Sequence, residues 1–217
     1  MTNRYDLIIF DWDGTLIDSI DWIVNCLQRA AEDCQLDIPD QQESKDVIGL
    51  SLNNAINQLF PGIDSGKQEQ LVKSYSQHFF SKPISDQDFF EGVYDMLKEL
   101  KAMGHHLAVA TGKSRAGFQK ALYGTAVNDL FSTTRCADET ASKPHPRMLL
   151  EIIDELDVEK SRVLMIGDSV HDLQMAENAG IASVAVSCGA HSSIILEKYN
   201  PLACFQQTTD LMNFVRG

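Results

Sequence analysis

A chain of 217 residues, 44% of them hydrophobic, can bury one sizeable core or one core plus a small appended domain, and is too apolar for disorder. Its 18 basic and 31 acidic residues leave a net charge of −13, which argues against a nucleic-acid or anionic-membrane surface as partner. Its apolar runs are too short to span a bilayer, no signal pattern precedes the first of them, and its five cysteines form no Cys-x-x-Cys pair, so the expectation is a cytoplasmic protein with reduced thiols.

In chain order, the first strand-like run covers residues 6–10 and ends in Asp11-Trp12-Asp13-Gly14-Thr15. The alternation of strand and helix then breaks over residues 20–88. Helical patterns cover 20–34, 51–60 and 67–80, with no convincing strand between them, and Pro83 and the 86–88 stretch mark a return linker. Val93, Met96, Leu97 and Leu100 recur at helix spacing before Gly104. Strand-like runs follow at 106–110, 162–166 and 182–186, with weaker ones at 130–134 and 202–205, and helices at 114–122 and around Met148, Leu149, Ile152, Ile153 and Leu156. Continuous apolar strands alternating with amphipathic helices predict an α/β fold, a Rossmann-like parallel sheet covered on both faces, with a helical domain inserted after the first strand. The predicted division is residues 1–17 and 89–217 for the core and 18–88 for the insertion.

Ligands of such sheets sit beyond the C-terminal strand ends. There this chain carries Asp11 and Asp13, then Thr111-Gly112-Lys113, then Lys143-Pro144, then Gly167-Asp168-Ser169-Val170-His171-Asp172. Singly, each has a bland reading. Asp13-Gly14 is a common turn, Thr111 a helix N-cap, Lys143 a solvated lysine, and Gly167-Asp168-Ser169 a turn into a helix. Together they gather carboxylates, a hydroxyl and an ammonium at one sheet edge. Clustered carboxylates suit Mg²⁺, a hard cation that takes oxygen ligands, and the ion plus a lysine would receive a phosphate dianion despite the acidic chain. Alternate residues of extended backbone share a side, so Asp11 and Asp13 would face one pocket while Trp12 points away as a spacer. One carboxylate could attack phosphorus and the other move the leaving-group proton, with Gly14 allowing the turn that aims them.

On these residues the chain resembles the haloacid-dehalogenase-like hydrolase superfamily, in its phosphatase branch near phosphoglycolate-phosphatase-like members. The motifs occur in order: Asp11-Trp12-Asp13-Gly14-Thr15-Leu16, Thr111 after an apolar strand, Lys143-Pro144, and Gly167-Asp168-Ser169 with Asp172. The resemblance implies that residues 18–88 are a C1-type helical cap. It implies Asp11 as the nucleophile forming an aspartyl-phosphate, Asp13 as general acid then base, and Thr111, the Gly112 amide and Lys143 as phosphoryl contacts. Mg²⁺ would be held by Asp11, Asp168, Asp172 and the Asp13 backbone carbonyl. Gly112 departs from the Asn common in relatives, and Trp12 from their smaller or different hydrophobes. The implied activity is Mg²⁺-dependent hydrolysis of a small phosphorylated metabolite. The alternatives are a phosphomutase or phosphotransferase, a pyrophosphatase and, more remotely, a phospho-aspartate receiver-like signalling domain. A monomer and a homodimer are equally compatible with the sequence.

Other residues carry local expectations. Asp18 and Ser19 read as a turn and the N-cap of the first inserted helix. His105 and His106 read as surface residues, and His171 as a histidine beside the metal ligands or in solvent, with a metal-ligand role as the alternative. Lys113 and Arg115 could reach substrate or simply start a solvated helix. Gly49-Leu50-Ser51 fits either a loop over the site or a plain helix–helix turn.

Overall fold

The structure, a computed structural model, describes residues 4–123 and 125–216. β1 (Leu7–Phe10) is followed by the helices α1 (Ile20–Asp33), α2 (Gln41–Asp46), α3 (Leu52–Leu59) and α4 (Ser65–Phe79). The chain then alternates through α5 (Val93–Ala102), β2 (His106–Thr111), α6 (Arg115–Tyr123), β3 (Thr133–Cys136), α7 (Arg147–Glu155), β4 (Val163–Gly167), α8 (Val170–Ala179) and β5 (Ala182–Val186). It closes with α9 (Ser193–Leu196), β6 (Cys204–Phe205) and α10 (Leu211–Arg216). Among the described residues the strands form one parallel sheet in the order β3-β2-β1-β4-β5-β6. The expected α/β fold is therefore the observed one.

The central strands are buried on both faces, which is why they read as unbroken apolar runs. Ile8 and Phe10 of β1 face one layer, with Val93, Leu97 and Leu100 of α5 and Phe118 of α6. Leu7 and Ile9 face the other, with Met148, Leu149 and Ile152 of α7 and Met175 and Ala176 of α8. Trp12 keeps the parity of Ile8 and Phe10 and is fully buried in the first layer. Its ring meets Phe118 edge-on at 4.9 Å and Phe89 at 5.7 Å. The spacer reading of Trp12 thus needs correction: the ring points away from the site as expected, but it is a centrepiece of the core.

Two local expectations fail for physical reasons. α2 went unpredicted because its sequence, QQESKD, has no apolar face. It is set instead by a capping box, in which the Asp40 side chain accepts from the Glu43 N–H and the Glu43 carboxylate accepts from the Asp40 N–H. β3 begins three residues later than the apolar run suggested, since Leu130 belongs to a short 3₁₀ turn and the edge strand itself, TTRC, is mostly polar. His105 is also not a surface residue. It is buried with Nδ1 2.8 Å from the Tyr5 carbonyl, and burial lowers its pKa.

The α1–α4 segment leaves and rejoins the sheet through adjacent strands of chain. Asp18 N–H donates to the Asp88 carbonyl at 2.8 Å, Phe90 N–H to the Leu16 carbonyl at 3.1 Å, and Ile17 bridges Phe89 antiparallel. Within the segment α1 packs on α4 around Ile23, Val24, Leu27 and Phe79.

Candidate active site

The register that pairs Phe10 with Val109 and Ile166 levels the C-terminal ends of β1, β2 and β4. Asp11, one residue beyond β1, donates its N–H to the Ile166 carbonyl at 2.9 Å and so sits between the ends of β2 and β4. Lys143 reaches in from the loop between β3 and α7. It is fully buried, with Nζ 2.7 Å from both Asp11 Oδ1 and Asp172 Oδ1. Asp172 is held by the start of α8, where its Oδ2 accepts from the Ser169 N–H at 3.1 Å and the Ser169 hydroxyl at 2.6 Å. Asp168 accepts from the Thr15 hydroxyl at 2.8 Å and the Ala190 N–H at 2.7 Å. Gly14, at φ +76°, has to be glycine twice over, because a Cβ there would collide with the Asp168 carboxylate.

Asp11, Asp168 and Asp172 can each turn an oxygen to within 4.8 Å of the others. They face one ammonium. Burial, then repulsion from Asp172 and Asp168, drives the Asp11 carboxyl well above its ordinary range in spite of Lys143. Burial, then Asp172, pushes Asp168 up to about 7. Burial opposes the charge on Lys143, but Asp11 and Asp172 outweigh it and hold its proton more firmly than usual. An all-oxygen donor set this crowded fits a hard divalent cation, which would relieve both burial and repulsion.

Asp13 looks elsewhere. Its Oδ1 accepts from the Ser19 hydroxyl at 2.7 Å, and its Oδ2 pairs with Lys113 Nζ at 2.8 Å. Ser19 therefore occupies the N-cap position of α1 without a side-chain cap bond; its hydroxyl goes to Asp13. Lys113 does not start a solvated helix either. It is largely buried and its ammonium lies 4.2 Å from the Phe79 ring centroid, joining Asp13 to α4. Arg115 turns away, onto Glu139 and Thr134. The Thr111 hydroxyl caps no helix; it accepts from the Lys113 N–H at 3.2 Å, while Ser114 accepts from the Gly117 N–H at the start of α6. His171 touches the Asp46 carbonyl through Nε2 at 2.9 Å.

The 49–51 loop lies over these residues. Ser51 N–H donates to Ser142 Oγ at 2.8 Å, and a Cβ on Gly112 would run into the carbonyl oxygens of Gly49 and Leu50. Gly112 is what lets that loop approach. Between loop, α1, α4 and the strand ends lies a chamber of about 320 Å³, with Asp11, Asp13, Thr111 and Gly112 on its floor.

Of the residues singled out in the sequence, Asp11, Lys143 and Asp172 form one ion-pair network with Asp168 grouped beside its carboxylates, and Thr111, Gly112 and Asp13 adjoin it around the chamber. Sequence reasoning missed Ser19 on Asp13, Thr15 and Ala190 on Asp168, and the pairing of Lys113. Thr15 and Ser19 sat within the first motif and its tail, whereas nothing local marks Ala190.

A parallel sheet with this acidic edge and a helical insertion after β1 defines an α/β protein with its candidate site at the C-terminal strand ends. The profile described as "Haloacid dehalogenase-like hydrolase" matches residues 8–186, and the chain belongs to that family. Among curated relatives, "Probable phosphatase IndB" of Dickeya dadantii (strain 3937) is 33% identical over 199 residues, covering 90% of this chain and 86% of the relative. "Pyrophosphatase PpaX" of Bacillus cereus (strain Q1) is 29% identical over 212 residues, covering 96% and 95%. The crystal structure of a predicted phosphoglycolate phosphatase from Haemophilus somnus 129pt superposes with a TM-score of 0.84, covering 99% of each chain at 23% identity, and supports the shared fold. Among the described residues no helix is long and apolar enough to cross a membrane.

Proposed function

We propose that this phosphatase of the haloacid dehalogenase-like family hydrolyses a small phosphorylated metabolite with Mg²⁺, through a phospho-enzyme on Asp11. The observation that carries the reading is the buried Asp11–Lys143–Asp172 network, opening beside Asp13 and Thr111 onto one chamber. Asp11, Asp168, Asp172 and the Asp13 backbone carbonyl would hold the metal, with Asp172 acting directly or through water. Bound there, Mg²⁺ would supply positive charge against the phosphate oxygens and the carboxylates.

The remaining roles belong to the chain. Lys143 opposes protonation of Asp11 and aims its carboxylate. An Asp11 oxygen attacks phosphorus as the bond to the leaving oxygen breaks, and Asp13 passes that oxygen a proton. The Thr111 hydroxyl and Gly112 N–H bind the phosphoryl oxygens. Asp13 then takes a proton from water, the hydroxide attacks phosphorus, and the P–O bond to Asp11 breaks to release phosphate and restore the carboxylate. Residues 18–88 act as a cap hinged at the paired 16–18 and 88–90 crossings, shutting out water during the first step and admitting it for the second.

The test is Asp11→Asn, which should keep the fold and lose about a thousandfold or more of p-nitrophenyl phosphate turnover in Mg²⁺. Wild-type rates in that variant would sink the assignment. The pyrophosphatase name of one relative favours a second reading, an anhydride substrate, and the mutase alternative remains. Product analysis separates them, because a mutase leaves isomerised sugar phosphate and a pyrophosphatase yields two phosphates from pyrophosphate.

A further inference from the structure

The chamber has a floor built for phosphate and a roof built for something else. Its cap-side wall is made by Ile23 and Leu27 of α1 and by Val72, Tyr75 and Phe79 of α4, with Phe80 at the mouth. Its other cap-side groups that hydrogen-bond through side chains, Ser51, Asn53 and Ser76, are neutral. Burial and the nearby Asp13 push the Tyr75 phenol well above its ordinary range, so it too is neutral. Among the described residues lining the chamber Lys113 is the single cation, and its ammonium is engaged by Asp13 at 2.8 Å and by the Phe79 face. Lys143 is buried beneath, between Asp11 and Asp172. Asp138, also on the wall, adds negative charge.

This distribution bears on the part of the substrate that leaves. Phosphoglycolate carries a carboxylate, and pyrophosphate a second phosphate, at the end remote from attack. Either would bring a further anion against an apolar wall whose one lining cation, Lys113, already has its charge matched by Asp13, while Lys120 lies over the Phe80 ring and is not among the lining residues. Burying an unpaired charge in an apolar site is strongly unfavourable. A neutral alcohol with an apolar or flat aromatic body meets no such cost. It gains from burial against Ile23, Leu27, Val72 and the rings of Tyr75, Phe79 and Phe80, and its remaining hydroxyls find Ser51, Asn53 and Ser76. A volume of about 320 Å³ lies at the small end of ligand sites, typically about 300–1,000 Å³, and suits a phosphate with a compact body of that kind.

We infer that the substrate is a phosphate monoester of an uncharged alcohol with an apolar or aromatic body, and that phosphate esters or anhydrides bearing a second anionic group are poor substrates. The inference rests on the phosphatase reading above and narrows it.

The test compares kcat/KM in Mg²⁺ for benzyl phosphate, ethyl phosphate, phosphoglycolate and pyrophosphate, with p-nitrophenyl phosphate as the general probe of hydrolysis. Benzyl phosphate should exceed each of the other three by about tenfold or more, and in the Asp11→Asn variant it should bind about tenfold more tightly than phosphoglycolate in a calorimetric titration. If p-nitrophenyl phosphate is cleaved but phosphoglycolate or pyrophosphate equals or outranks benzyl phosphate, the inference is overturned and the phosphatase reading stands. If no probe is turned over, the reading falls and the inference with it.

Discussion

Replacing Lys143 by Met asks what the buried ammonium does. Its Nζ lies 2.7 Å from two carboxylates, and all three groups are shielded from water. Met keeps much of the stem's volume and removes the charge. Asp11 and Asp172 are then left facing each other unpaired, a defect that costs about 3–5 kcal/mol. The carboxylates can escape part of that cost by taking up protons, and each pH unit is worth about 1.4 kcal/mol per carboxyl that must stay protonated. The Asp11 carboxyl is already held above its ordinary value, so its neutral form is favoured by acid and its charged form penalised as pH rises. Moving from pH 7.5 to 5.5 should therefore recover part of the loss, because acid supplies the protons that the unpaired carboxylates need. Adding Asp11→Asn should recover about 1–3 kcal/mol at pH 7.5, because one of the unpaired charges is gone. Urea unfolding of wild type, the single variants and the double variant, in EDTA at both pH values, measures all three quantities. An equal loss at both pH values, with no coupling to Asp11, would mean the lysine matters for packing and would refute the electrostatic argument.

The apo protein should lose stability as pH rises from about 4 through about 7, since Asp168 ionises near 3.8 when unfolded and near 7 when folded. Mg²⁺ competes for the same carboxylates, so the rise in Tm it produces should be larger at pH 8 than at pH 5.5; an equal or smaller rise at pH 8 would contradict the ligand set. Lys113→Met should lower kcat/KM by about tenfold or more through loss of the contact that orients Asp13, whereas Arg115→Met, beside Glu139, should change it less than about twofold. Steady-state kinetics on both variants decides, and matching losses would remove Lys113 from the site. Phe118→Ala removes the partner of Trp12 at 4.9 Å and should cost about 3–5 kcal/mol, lowering Tm by roughly 10 °C; calorimetry showing a shift under about 2 °C would argue against the aromatic core.

The sequence by itself determined the order of the strands and of the longer helices, and which residues stand as site candidates. Strands buried on both faces leave continuous apolar runs, and α7 shows its buried face as Met148, Leu149, Ile152 and Ile153 at helix spacing. The catalytic candidates were legible because parallel topology brings every strand's C-terminal end to one edge, so Asp11, Thr111 and Asp168 had to be neighbours once the strands were placed. What was not legible depends on contacts between segments far apart in the chain. The apolar wall of α1 and α4 could be seen as helix faces, but not that part of it would line a chamber. The Ala190 N–H on Asp168, 22 residues away, carries no side-chain signal at all. Lys113 and Arg115 look alike on paper, both beginning a helix after a strand. Only the tertiary structure set one against Asp13 and the Phe79 ring of α4, and the other against Thr134 of β3 and Glu139 just beyond it. A charge is assigned by sequence, but its partner is assigned by distance, and distance at this edge is set by how the inserted helices settle on the sheet.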